Sequence, residues 1–172
     1  LGTSVENIEN ILKDNQNNFI AEISNDNSEG QIVLSGKTND LEKLSSFLKE
    51  NKIKNIKLPV SAPFHCSLMS KATEIMREEL NKLKFKSGSN PLISNITADE
   101  IFNAEELKKL LVKQIENRVR WRESVVNMIN KGVNQFIEIG PGKVLSGLIK
   151  RINNEVEIIS INNEEDIKSI KI

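Results

Sequence analysis

The sequence predicts an α/β protein in two parts, and three observations lead there. Apolar residues recur at helical spacing in several stretches, separated by short β-branched runs of strand length. The first third reads α-β-β-α-β, which one further strand in front would complete as a split βαβ of ferredoxin-like type. Beyond residue 65, strands alternate with helices, the pattern of an α/β layer with buried, mostly parallel strands. The junction is expected near Leu58 to Ala62. Residues 1–58 then form a ferredoxin-like small subdomain lacking its first strand, and 59–172 form the larger part. On this reading the chain begins just after that strand, with Leu1 an interior residue.

Each element has its own warrant. Ser4 to Lys13 reads as a helix, with Val5, Ile8, Ile11 and Leu12 on one face and Ser4 as N-cap. Phe19 to Ser24 and Gln31 to Ser35 read as strands, joined by the turn-rich Asn25 to Gly30. Thr38 to Asn51 carries Leu41, Leu44, Phe47 and Leu48 at helical spacing, and Ile53 to Leu58 is a short strand. Leu68 to Leu83 is an amphipathic helix, and Leu92 to Ile96 a strand after Pro91. Ala104 to Ile115 and Arg122 to Lys131 are helices, the second ended by Gly132. Gln135 to Ile139 is a strand that runs into Gly140-Pro141-Gly142. A helix over Lys143 to Ile152, a strand over Glu157 to Ile161 and a weak helix over Glu164 to Ile170 complete the chain.

Composition narrows the function. Lysine plus arginine and aspartate plus glutamate both number 24, so the net charge is zero, which argues against broad nucleic-acid binding. No run of about eighteen apolar residues exists, so no membrane span is expected. A single cysteine makes no internal disulfide, which fits a reducing, cytoplasmic compartment.

The segment Pro59 to Met69, PVSAPFHCSLM, holds the only histidine, the only cysteine and two of the four prolines. Any imidazole chemistry therefore falls to His65. An imidazole titrating near neutrality is the usual general base of a nucleophilic enzyme, while a packing role is the plainer alternative. One histidine next to one cysteine supplies no ligand set, so neither a metal nor another cofactor is expected. Gly140-Pro141-Gly142-Lys143 opens a helix and could turn its amides to an anion. Val144 occupies the hydroxyl position of a phosphate loop, and a tight strand-to-helix turn is favoured. The serine elbow GxSxG is absent; the nearest string, Gly2 to Glu6, lacks its second glycine.

Four segments, in order, resemble one family: the malonyl-CoA:acyl-carrier-protein transacylases and the related acyltransferase domains of polyketide synthases. LPVSAPFHCSLM (58–69) resembles the histidine segment, and KQIENRVRW (113–121) the Q-x-x-N-P-V-x-W segment. FIEIGPGKVLSGLIKRI (136–152) resembles the E-x-G-P-G-x-x-L segment. ISNDNSEGQIVLSG (23–36) resembles the N-x-N-S-P-x-Q segment, with Glu29 where proline is common. Spacing and order agree from Leu1 to about Ile161. The resemblance implies the C-terminal part of an α/β-hydrolase-like acyltransferase core. It further implies that the elbow serine, the oxyanion-site glutamine and the malonyl-binding arginine belong to a missing N-terminal half.

By that resemblance the reaction is ping-pong malonyl transfer from malonyl-CoA to acyl carrier protein, in fatty acid or polyketide synthesis, within the cytoplasm or an organelle. His65 would be the base, and the main-chain carbonyl of Gln114 its orienting partner. Phe64, Asn25 and Asn27 would line the substrate. The string APFH sits where relatives carry HAFH for malonyl and YASH for methylmalonyl, so the Phe64 ring either excludes a branched α-methyl or simply packs at the junction. Lys143, Lys150 and Arg151 would attract the acidic carrier protein. Arg118 stands where the family usually has proline. The competing expectation is a non-catalytic fragment that binds carrier protein, coenzyme A or the missing half.

Overall fold

The computed structural model describes residues 1–169. They divide into two compact units, Leu1–Ser124 and Val125–Ile172.

In the first unit, helix α1 (Val5–Asp14) begins where the Ser4 hydroxyl accepts the Asn7 amide. Strands β1 (Ala21–Ser28) and β2 (Gln31–Gly36) form an antiparallel hairpin, and α2 (Thr38–Glu50) follows. Ile8, Phe19, Leu44 and Leu48 are buried between the hairpin and the two helices, with Ile23, Leu34 and Ile53 packed around them. The Phe19 and Phe47 rings meet at 5.7 Å, tilted by 60°. Each large side chain in this core contributes about 1.5–3 kcal/mol of apolar burial.

The hairpin turn is shorter than the sequence suggests. The expected turn residues Asn25 to Ser28 are strand, and only Glu29-Gly30 turn, with Gly30 at φ 69°. The reason is a second partner on the open edge of β1. The Val119 amide donates to the Ser24 carbonyl at 2.8 Å, and the Asp26 amide donates to the Val119 carbonyl at 2.9 Å. Asp26, only 1% exposed, is gripped by the Arg122 guanidinium at 2.8–3.1 Å. The extension is irregular, with β-bulges between Ile23 and Asn25 and between Asp26 and Ser28.

The expected strand Ile53 to Leu58 does not form. No strand pairs with it among the described residues; instead the Lys54 carbonyl accepts the Leu1 main-chain nitrogen, 53 residues away, and the Asn55 side chain accepts the Ser45 hydroxyl. Ile56 and Leu58 are exposed. Leu92 to Ile96 shortens to β3 (Leu92–Ile93), paired antiparallel with an unexpected β4 (Glu100–Ile101). Ser94 to Asp99 turn the chain instead, with Ala98 in a left-handed conformation. The helix expected from Leu68 starts as a 3₁₀ turn at Ser67–Met69 and continues as α3 (Ser70–Lys82). Helix α4 (Ala104–Lys113) follows β4, capped by the Asn103 side chain.

Compactness of the first unit does not stop at Leu58. The β1–β2 hairpin is bonded to residues 64, 67, 119 and 122, which carries the division of the chain to Ser124. Helix α5 (Trp121–Asn130) runs across that division.

The second unit holds β5 (Gln135–Ile139), α6 (Val144–Ile152), β6 (Glu157–Ile161) and α7 (Glu164–Ser169). The expected helix end at Ile170 lies outside the described residues. Strands β5 and β6 pair in parallel, with Ile137 opposite Ile159. They are not buried as expected: Ile139 is 78% exposed, on a sheet of only two strands.

Candidate active site

Pro59 and Pro63 stiffen the approach to His65, and the Phe64 amide donates to the Ala62 carbonyl at 3.0 Å to turn the chain. His65 itself has φ 59°, a left-handed backbone that a side chain with a Cβ adopts only under constraint. The Met69 amide then donates to the Cys66 carbonyl and starts the helical turn. Cys66 is fully buried, its thiol donating to the Pro63 carbonyl. Burial pushes that thiol above its ordinary range, so it stays protonated beside the histidine.

The His65 Nδ1 lies 2.7 Å from the main-chain oxygen of Gln114. A carbonyl only accepts, so Nδ1 carries a hydrogen, and in the neutral ring the acceptor is then Nε2. Gln114 caps the C-terminus of α4, where helix carbonyls lack intrahelical partners. The negative end of the helix dipole thus faces the imidazole. The Gln114 side chain is fixed in turn by Asn95, whose carbonyl accepts the Arg120 amide. Arg120 pairs with Glu123 and holds that carboxyl below its ordinary value through their hydrogen bonds.

His65 borders an open cleft of about 350 Å³, with Leu12 and Ile23 as apolar lining and Glu9, Glu22, Glu116 and Arg118 as charged lining. Arg118 donates to Glu9 at 2.9 Å, an ion pair built from the residue that stands where proline is usual. Among the described residues, no cluster of three or more histidine, cysteine, aspartate or glutamate side chains could hold a metal ion.

Of the expected site residues, the structure brings His65 and Gln114 together. Phe64 is half exposed, and its carbonyl accepts the Ser35 hydroxyl at 2.9 Å. Asn25 and Asn27 lie on β1 and do not line the cleft; Asn25 sits opposite Val119, between Ser24 and Asp26, whose backbone groups make the bridge. Lys143, Lys150 and Arg151 belong to the second unit. Lys143 precedes α6, while Lys150 and Arg151 complement the dipole at its far end. The Gly140 to Lys143 turn is indeed tight, with Gly140 at φ 142° and Gly142 at φ 90°. Its anion is the protein's own: Glu138 accepts the Leu145 and Ser146 amides at 3.0 and 2.7 Å. The Ser146 hydroxyl and these amides hold the Glu138 carboxyl below its ordinary value.

Sequence reasoning missed Glu22, Ser35 and Ser67. Glu22 accepts both the amide and the hydroxyl of Ser67. Alternation marks Glu22 and Ser35 as polar residues on short strands, but nothing local shows what they reach.

No protein-family model matches the chain. Individual proteins do. The malonyl CoA-acyl carrier protein transacylase of Bacillus subtilis is 39% identical over 170 residues, 98% of this chain and 54% of that protein. The crystal structure of the enzyme of that name from Clostridium perfringens superposes with a TM-score of 0.91 at 37% identity, over 96% of this chain and 52% of that one. A solved complex of a type II polyketide acyl-carrier protein with its malonyl-transacylase gives 0.91 at 33%, over 98% and 55%. The chain spans about half the length of each, corresponding to their C-terminal portion. By sequence and fold together, nearly the whole of this chain is similar to the C-terminal portion of malonyl CoA-acyl carrier protein transacylases.

Proposed function

We propose that this chain supplies the general base of a malonyl-CoA:acyl-carrier-protein transacylase, with His65 as the base. The observation that carries this reading is the 2.7 Å contact between His65 Nδ1 and the Gln114 carbonyl, which makes Nε2 the acceptor of the neutral ring on a residue that lines the cleft. A serine from outside this chain attacks the malonyl thioester while Nε2 takes its proton. The tetrahedral adduct expels the coenzyme A thiolate, which the imidazolium protonates. The thiol of the carrier protein then gives its proton to Nε2 and attacks the malonyl ester, and the imidazolium returns a proton to the serine oxygen. A neutral carbonyl stabilises the imidazolium less than an aspartate would, and the helix dipole behind Gln114 offsets part of that difference.

In the same reading, Phe64 contributes to the malonyl site, Asn25 and Asn27 do so only where the N-terminal portion outside this chain completes it, and Lys143, Lys150 and Arg151 contribute to the carrier-protein surface. Residues 1–58 serve as the ferredoxin-like small subdomain and 59–172 as part of the catalytic core. The enzyme works in the cytoplasm or in an organelle that houses fatty acid synthesis. Without the serine, the 172 residues alone form no acyl-enzyme.

The test joins this chain to the N-terminal portion of its relatives and measures malonyl transfer to carrier protein. His65→Ala is expected to lower kcat about 10²–10⁴-fold, the usual range for a general base. Activity within tenfold of the parent would overturn the assignment.

A further inference from the structure

His65 sits in a backbone conformation that its own side chain disfavours, so the surrounding structure must impose it. The two residues that do this face each other across the hairpin. Glu22 of β1 and Ser35 of β2 are direct cross-strand partners. The Ser35 hydroxyl donates to the carbonyl of Phe64, the residue before His65, at 2.9 Å. Glu22 accepts the amide of Ser67, two residues after His65, at 3.1 Å, and the Ser67 hydroxyl on the same oxygen. One rung of the sheet therefore holds the chain on both sides of the histidine.

We propose that Glu22 and Ser35 are positioning residues that fix the His65 backbone, so that Nδ1 meets the Gln114 carbonyl and Nε2 is presented to the cleft. The inference rests on the reading of His65 as the base. Its logic is geometric. The residue pairs Glu22–Ser67 and Ser35–Phe64 are separated by 45 and 29 positions, so neither bond arises from local turn formation. Both end on backbone groups, and Ser35 and Glu22 each reach a different flank. Release of either flank lets His65 relax from φ 59° toward the ordinary right-handed or extended regions. That rotation swings the ring away from Gln114. The imidazole then loses the acceptor that selects its tautomer. Glu22 also lines the cleft beside His65, so the clasp occupies the wall of the site itself.

This being the only histidine, its tautomer can be read without assignment, by nitrogen-15 NMR of histidine-labelled chain at mildly alkaline pH. The parent chain is expected to show the Nδ1–H form. A Glu22→Ala/Ser35→Ala variant is expected to shift most of the population to Nε2–H, the form favoured by an unconstrained histidine side chain in water. A Glu22→Gln/Ser35→Thr variant keeps an acceptor and a hydroxyl and should restore Nδ1–H. Unchanged amide signals from α1 and α2 serve as the control for folding. Retention of Nδ1–H in the double-alanine variant overturns the clasp, as does failure of the conservative pair to restore it. The same variants, joined to the N-terminal portion of the relatives, should show kcat lowered about 10–100-fold with KM for malonyl-CoA within twofold, as misplacement of a catalytic group predicts. A lost tautomer with unchanged kcat would leave the clasp standing and overturn the role of His65 as base.

Discussion

Glu138 and Glu22 both project from a strand and accept hydrogen bonds from amides at the start of a helical turn. They differ in the length of chain each one closes. Glu138 reaches seven and eight residues ahead, to the first turn of α6, and satisfies amides that every helix leaves free. Glu22 reaches 45 residues ahead, to the turn after His65. Loop-closure entropy grows slowly with length, so the longer contact carries only about 1.5 kcal/mol more than the shorter. Its real dependence is structural. The cap at α6 exists once β5 and α6 meet, whereas the contact at Ser67 requires the hairpin in register and its edge held by Val119 and Arg122. The first is a local device for stability, and the second transmits the fold of the sheet to one histidine.

The largest expected effect breaks the long-range side. Arg122→Ala leaves the Asp26 carboxylate buried without its guanidinium and should destabilise the chain by about 2–4 kcal/mol. That range lies at the low side of fully buried pairs, because the Arg122 side chain keeps 32% exposure. Urea unfolding checks this, and Asp26→Asn/Arg122→Met should recover most of the loss. A midpoint unchanged by Arg122→Ala would remove the ion pair from the account of β1.

A smaller effect belongs to the local side. Glu138→Ala should cost about 1 kcal/mol, the usual worth of a helix cap, and should speed amide exchange at Leu145 and Ser146. Exchange in the β1–β2 hairpin should stay unchanged. Acceleration in both places would mean that the cap is not the local device described here.

The smallest effect is a pH dependence. Hydrogen bonds hold the Glu138 carboxyl below its ordinary value of 4.5. A depressed carboxyl contributes stability that is fully present above the unfolded value and is lost as pH falls through the folded value. Protection of the α6 amides should therefore weaken on acidification below about 4.5, and Glu138→Gln should flatten that dependence. Equal slopes for parent and variant would assign the titration to another group.

The same contrast explains what the sequence could reveal. Strands β5 and β6 match expectation to the residue, and α6 differs by one, because glycine placement and apolar spacing determine them locally. His65 and Gln114 were legible as well, through motif order. The clasp was not. Counting back from Ser28 and Gln31 without bulges pairs Glu22 with Lys37, and two bulges move it to Ser35. Asn25 to Ser28 read as turn because their side chains favour turns, yet Val119 and Arg122, about a hundred residues away, draw them into a strand. Ile53 to Leu58 failed for the converse reason, an extended pattern with no neighbouring strand to pair.

One feature of the second unit bears on handling the chain. With two strands, the β5–β6 sheet keeps backbone donors and acceptors on both outer edges without a strand partner among the described residues, beside the exposed side chains of Ile137 and Ile139. Such an edge does not distinguish one source of strand from another, and a second molecule of the same chain can fill it. The encounter rate rises with the square of concentration. Dilution will therefore slow the pairing of these edges between molecules more steeply than it lowers the amount of chain in solution.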